Sequence, residues 1–122
     1  MRGLVSLVAV LTLLAFDANA ATAPTAQSLL GLCAANGGTE QRLGCHMYIA
    51  GYIQGLEVAQ VQPQGSLTEI CFPTNFTESE AEAVFVRFMR THGTENHFTD
   101  QPPEQVLWVA FSLEYPCKRP AH

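Results

Sequence analysis

Four cysteines, Cys33, Cys45, Cys71 and Cys117, set the strongest limit on what this chain can become. An even number of thiols in a small exported domain reads as two disulfides, which fix four points of the fold at once. The rival use is a metal site that joins these thiols with His46, His92 or His97. The spacing does not favour it, because the chain has no C-x-x-C and no H-x-x-x-H pair. No metal and no cofactor is therefore expected.

Export is read from the amino terminus. Arg2 supplies a positive start, Leu4 to Phe16 form an apolar run, and Ala18-Asn19-Ala20 has the small-x-small pattern of a cleavage site. The run is shorter than the roughly 20 residues of a spanning helix, so residues 1–20 read as a cleaved signal peptide. Residues 21–122 are then the mature chain, one domain, free of the membrane once cleaved. The net charge of −5 and the lack of any Lys/Arg cluster beyond Lys118-Arg119 exclude a nucleic-acid groove.

Hydrophobic spacing predicts helices throughout, with no alternation long enough for a sheet. A short helix is expected from Ala26 to Ala35, stopped by Asn36-Gly37-Gly38. A second is expected from Leu43 to Val61, where Tyr48, Ile49, Tyr52, Ile53 and Leu56 recur at three- and four-residue steps. Pro63 ends it. Gly51 and Gly55 lie on one face of this helix, and each costs about 1 kcal/mol against alanine. Close packing of a later helix or of a second subunit on that face would account for them.

The third helix opens at Thr77, with Glu80 placed to close a capping box, and carries Ala81, Val84, Phe85, Phe88 and His92 at helical spacing. Its acidic start and its Arg87 and Arg90 near the end suit the helix dipole. A polar connection, Thr94 to Gln101, leads to a fourth helix from Pro102 to Tyr115. Only Ser112 is polar between Val106 and Leu113, which predicts a helix buried around its girth by the core or by a partner. The class is all-α, a small disulfide-stapled bundle of four to five helices. Four cysteines allow three pairings, and hairpin topology prefers Cys33–Cys45 and Cys71–Cys117, because each pair then joins adjacent helix ends.

No catalytic constellation is legible. There is no G-x-S-x-G elbow, Ser28, Ser66, Ser79 and Ser112 fall in plain contexts, and the thiols are committed to bridges. Glu57 and Glu114 read as solvated helix residues, and His46 as a surface or capping residue at a helix start. His92 and His97 flank Gly93-Thr94-Glu95-Asn96, a polar loop end that could also serve as a contact loop. Asn75-Phe76-Thr77 matches a glycosylation sequon, which matters only in a eukaryotic secretory pathway. The chain is not expected to be an enzyme.

Taken in order, several short segments resemble one family. They are Leu29-Leu30-x-x-Cys33, Cys45 followed by Gly51-Tyr52-Ile53-Gln54-Gly55, Cys71-Phe72-Pro73, the helix from Thr77 to His92, and Ala110 with Tyr115-Pro116-Cys117. Together they resemble the Rap/Tai immunity proteins, which protect bacteria against peptidoglycan amidases delivered by type VI secretion. Glu57 stands where that family tends to aspartate.

The resemblance implies a periplasmic, non-enzymatic, helical protein, often a homodimer, that blocks the amidase cleft with a helix face and a protruding loop. On this chain the implied contacts are Arg87 and Arg90, then Glu95, Asn96, His97 and Phe98, with Phe98 as the aromatic anchor. The competing reading is a general periplasmic helical protein, chaperone-like or stress-related, with no cognate effector.

Overall fold

The computed structural model describes residues 23–34, 38–61 and 70–118. The expected signal peptide and Pro63, the expected stop of the second helix, lie outside the described residues. Within them the chain runs α1 (Ala26–Cys33), α2 (Thr39–Val61), α3 (Glu78–His92), a 3-10 segment (Glu95–Asp100) and α4 (Pro103–Glu114). No strand is present among the described residues beyond a single antiparallel bridge between Ile70 and Pro116.

Helix starts follow local chemistry. Thr25 caps α1, its hydroxyl accepting from the Ser28 N–H at 3.2 Å while the Ser28 hydroxyl oxygen accepts from the Thr25 N–H at 2.8 Å. Thr77 and Glu80 make the expected reciprocal pair at the start of α3, at 3.3 and 2.9 Å. Helix α2 begins four residues before the expected Leu43. The Gln41 side chain accepts from the Gly38 N–H at 3.1 Å, so the polar residues Thr39 to Arg42 form an exposed first turn rather than a loop.

Both expected disulfides are present, Cys33–Cys45 and Cys71–Cys117. The first ties the end of α1 to the early part of α2. The second closes the entry to α3 against the exit of α4, where the Cys71 N–H also donates to the Tyr115 carbonyl at 2.8 Å. Phe72, Phe76 and Tyr115 pack together at this seam, with Phe72 also edge-on to Phe111 at 5.4 Å. The core itself is built from Leu29 of α1, Ile49 and Ile53 of α2, Phe85 and Phe88 of α3, and Leu107 and Phe111 of α4.

Two expectations about packing change. The core alone does not bury helix α4 around its girth: Val106, Leu107, Ala110 and Phe111 face inward, while Trp108 is 41% and Leu113 68% exposed. Nor does α4 rest on the glycine face of α2. Gly51 and Gly55 are exposed and a side chain at either would meet open space. The cause is angular. Gly51 stands two residues from both Ile49 and Ile53, which puts it on the far side of the helix from the core.

Candidate partner-binding surface

Helix α3 ends at His92, with Gly93 as its C-terminal cap. This residue is buried, its N–H donates to the Met89 carbonyl at 2.9 Å, and a Cβ added there would collide with that carbonyl oxygen. Its φ of −54° is ordinary, so glycine is needed here for close approach rather than for an unusual backbone angle. The chain then folds into a closed loop. The Thr99 N–H donates back to the Gly93 carbonyl at 3.2 Å, and the Ala26 N–H at the start of α1 donates to the Gln101 carbonyl at 2.8 Å.

At the tip of this loop Asn96 and His97 both adopt left-handed backbone angles, with φ of 50° and 57°. Two successive non-glycine residues there cost roughly 1–2 kcal/mol each, somewhat less for Asn, whose short side chain tolerates the region. The closing hydrogen bonds and the packing beneath hold them. Both side chains are exposed, as is that of Glu95, whose Oε2 lies 2.9 Å from the His92 Nδ1.

Phe98, expected as the aromatic anchor, packs against α3. It is half-buried, edge-on to Phe88 with ring centroids 5.2 Å apart, so it holds the loop onto α3. Arg87 is also engaged within the chain, its Nη2 2.9 Å from the Glu114 Oε1 across to α4. Arg90 remains exposed. The structure thus gathers Glu95, Asn96 and His97 at one tip, packs Phe98 against α3, and pairs Arg87 with Glu114 on the surface.

Three further features were not legible as functional residues. A groove of about 270 Å³ lies between α3 and α4, lined by Arg87, Thr91, His92, Leu113 and Glu114, and His92 makes it continuous with the loop through Glu95. Leu113 had a signal in the sequence: the run Val106–Leu113 contains more apolar residues than one buried face can use. His46, expected as a surface or capping residue, is at the surface and bridges two helices, with Nε2 3.1 Å from Glu78 and Nδ1 3.0 Å from Glu82. On the outer face of α2, Leu43, Met47 and Val58 are exposed on either side of Gly51 and Gly55, at steps of three and four residues.

The tyrosines show how the α2–α4 side is wired. The Tyr48 hydroxyl donates to the Glu104 carboxylate at 3.1 Å. Burial, then that hydrogen bond and the Glu104 charge, push Tyr48 up to about 12. Burial and the charge of Glu104 do the same to Tyr52. Tyr115 is raised as well, by burial first and then by Glu114 and Glu80, with Arg87 opposing. All three hydroxyls stay protonated, as donors, across the neutral range.

Among the described residues no three His, Cys, Asp or Glu side chains are grouped as a metal site would need, and no helix is long and apolar enough to cross a membrane. A family model for Rap1a immunity proteins matches residues 25–117, more than half of the chain. No curated protein and no solved structure matches it.

Proposed function

Because the chain belongs to the Rap1a immunity protein family, we propose that it is a periplasmic protein that binds and blocks a peptidoglycan amidase delivered by type VI secretion. It thereby protects the producing cell and its kin. The observation that carries this reading is the family match, which spans both disulfides and every described helix. Two disulfides in so small a domain fit an oxidising compartment such as the periplasm, where an incoming wall hydrolase would act.

The role needs no catalysis by this chain. A rigid projection that fills the enzyme's cleft is enough, because substrate and inhibitor then compete for one space. The Glu95-Asn96-His97 tip supports that use: it is exposed, small, and held from below by Phe98 and by the Gly93–Thr99 hydrogen bond. A pre-organised loop loses little conformational freedom on binding, which favours affinity. Arg90 would add charge beside the tip, while Arg87 and Phe98 would act through the loop and groove they support.

The same reading includes a homodimer. The exposed face of α2, with Gly51 and Gly55 between Leu43, Met47 and Val58, would let two copies bring their backbones close while covering the apolar side chains. Co-expression with candidate amidases tests the central reading. A complex that copurifies and has lost wall hydrolysis is expected, and continued hydrolysis by the mixed proteins would reject it.

A further inference from the structure

An open groove of about 490 Å³ lies beside α4, lined by Tyr52 of α2 and by Glu104, Gln105, Trp108 and Val109 of α4. It shares no lining residue with the α3–α4 groove beside the loop. Its size falls within the ~300–1,000 Å³ of ordinary ligand clefts. Its chemistry is one-sided. The walls are apolar and aromatic, with one carboxylate and one amide, and Trp108 leaves much of its indole in solvent.

Among the described residues no cation pairs with that carboxylate. Helix α4 contains no Lys, Arg or His, and the only basic residues of α2 are Arg42 and His46, near its start. His46 is held by Glu78 and Glu82. Glu104 makes no ion pair among the described residues; it accepts one hydrogen bond, from the Tyr48 hydroxyl, which orients the carboxylate and leaves lone pairs unused. Glu104 and Trp108 are four residues apart on α4, so charge and ring share one helix face.

We propose that this groove seats an arginine side chain of the protein partner, its guanidinium lying on the Trp108 ring and forking onto the Glu104 carboxylate. The stem methylenes would lie along Tyr52 and Val109. Each alternative occupant meets an obstacle on these walls. An acidic side chain would face Glu104, and a purely apolar one would cover that charge without pairing it. Lysine brings charge but neither the planar face for stacking nor the two-pronged geometry. The assignment rests on the partner-binding reading above and adds a second contact to it, on the other side of α4 from the loop groove.

Trp108 is the sole tryptophan of the chain, so its fluorescence reports on the groove without labelling. The disulfide-bonded protein is titrated with acetyl-Leu-Arg-Leu-amide at fixed ionic strength, beside peptides carrying lysine or the neutral isostere citrulline. A saturable change is expected with the arginine peptide, about tenfold tighter than with citrulline and tighter than with lysine. The exposed Glu104→Gln variant should keep the thermal midpoint and bring arginine and citrulline within about twofold of each other. Equal response to arginine and citrulline, equal response to lysine, or no saturation overturns the assignment. The titration needs no effector, so it can fail while amidase inhibition holds, or hold while inhibition fails.

Discussion

The ring of Phe98 stands edge-on to that of Phe88, 5.2 Å between centroids, and this contact fastens the 95–100 segment to α3. An aromatic residue in a polar loop looks like an offer to a partner. Here it is turned inward, and the exposed tip it supports is Glu95-Asn96-His97. Removing the ring and altering the tip should therefore have different consequences.

Phe98→Ala should lower stability by about 2–3 kcal/mol, less than a fully buried phenylalanine because Phe98 is only half-buried. His97→Gly should leave stability unchanged or raise it by up to about 1 kcal/mol, since glycine accepts the left-handed angle that histidine holds at a cost. Thermal or urea unfolding of the two variants checks the stabilities. On the proposed function, inhibition of the amidase should nevertheless weaken in His97→Gly.

The disulfides should differ in worth. Cys71–Cys117 encloses a separation of 46 residues and Cys33–Cys45 one of 12. On loop entropy alone, paired alanine substitution should cost about 4 kcal/mol for the first and about 3 for the second. Cys45 is 1% exposed, so lost packing at that site should narrow the gap. Chemical denaturation of the two double variants measures both.

The tyrosines predict behaviour in alkali. All three have hydroxyls raised above the ordinary value, Tyr48 and Tyr52 to about 12. Between pH 10 and 12 the unfolded chain thus binds fewer protons than the folded one, and stability falls as pH rises. The contribution is fully present below pH 10 and lost through the folded value near 12. Phenolate absorbance of the native protein should rise later than that of the denatured protein, with unfolding hastened in the same window. Coincident titration curves would contradict the burial of Tyr48 and Tyr52.

Gly51→Leu and Gly55→Leu place a side chain in open space on an exposed helix face. Loss of glycine should stabilise the fold by up to about 1 kcal/mol through helix propensity. If two copies meet on that face, the same variants should dissociate the dimer. Thermal unfolding and sedimentation, run in parallel, separate the two effects.

Much of this architecture could be read directly from residues. Thr77 with Glu80, Pro102-Pro103 and the cysteine order placed the helices and both bridges, because caps, proline geometry and loop closure act locally. The facing of surfaces was harder to read. Gly51 and Gly55 carry no side chain to reveal which side of α2 is buried, and that side is fixed by Ile49 and Ile53 meeting the core. The apolar run of α4 likewise hid Trp108 and Leu113, since composition cannot separate an inward residue from one left outside. At the candidate site the loop was legible, but the inward turn of Phe98 and the pairing of Arg87 with Glu114 depend on tertiary contacts.

The most direct measurement titrates the purified protein into the amidase that the proposed function requires and follows release of fragments from peptidoglycan. Hydrolysis should fall linearly to zero at a fixed stoichiometric ratio, and substitution of Asn96 and His97 should weaken that inhibition without unfolding the chain. Undiminished hydrolysis in the presence of excess protein would contradict the account.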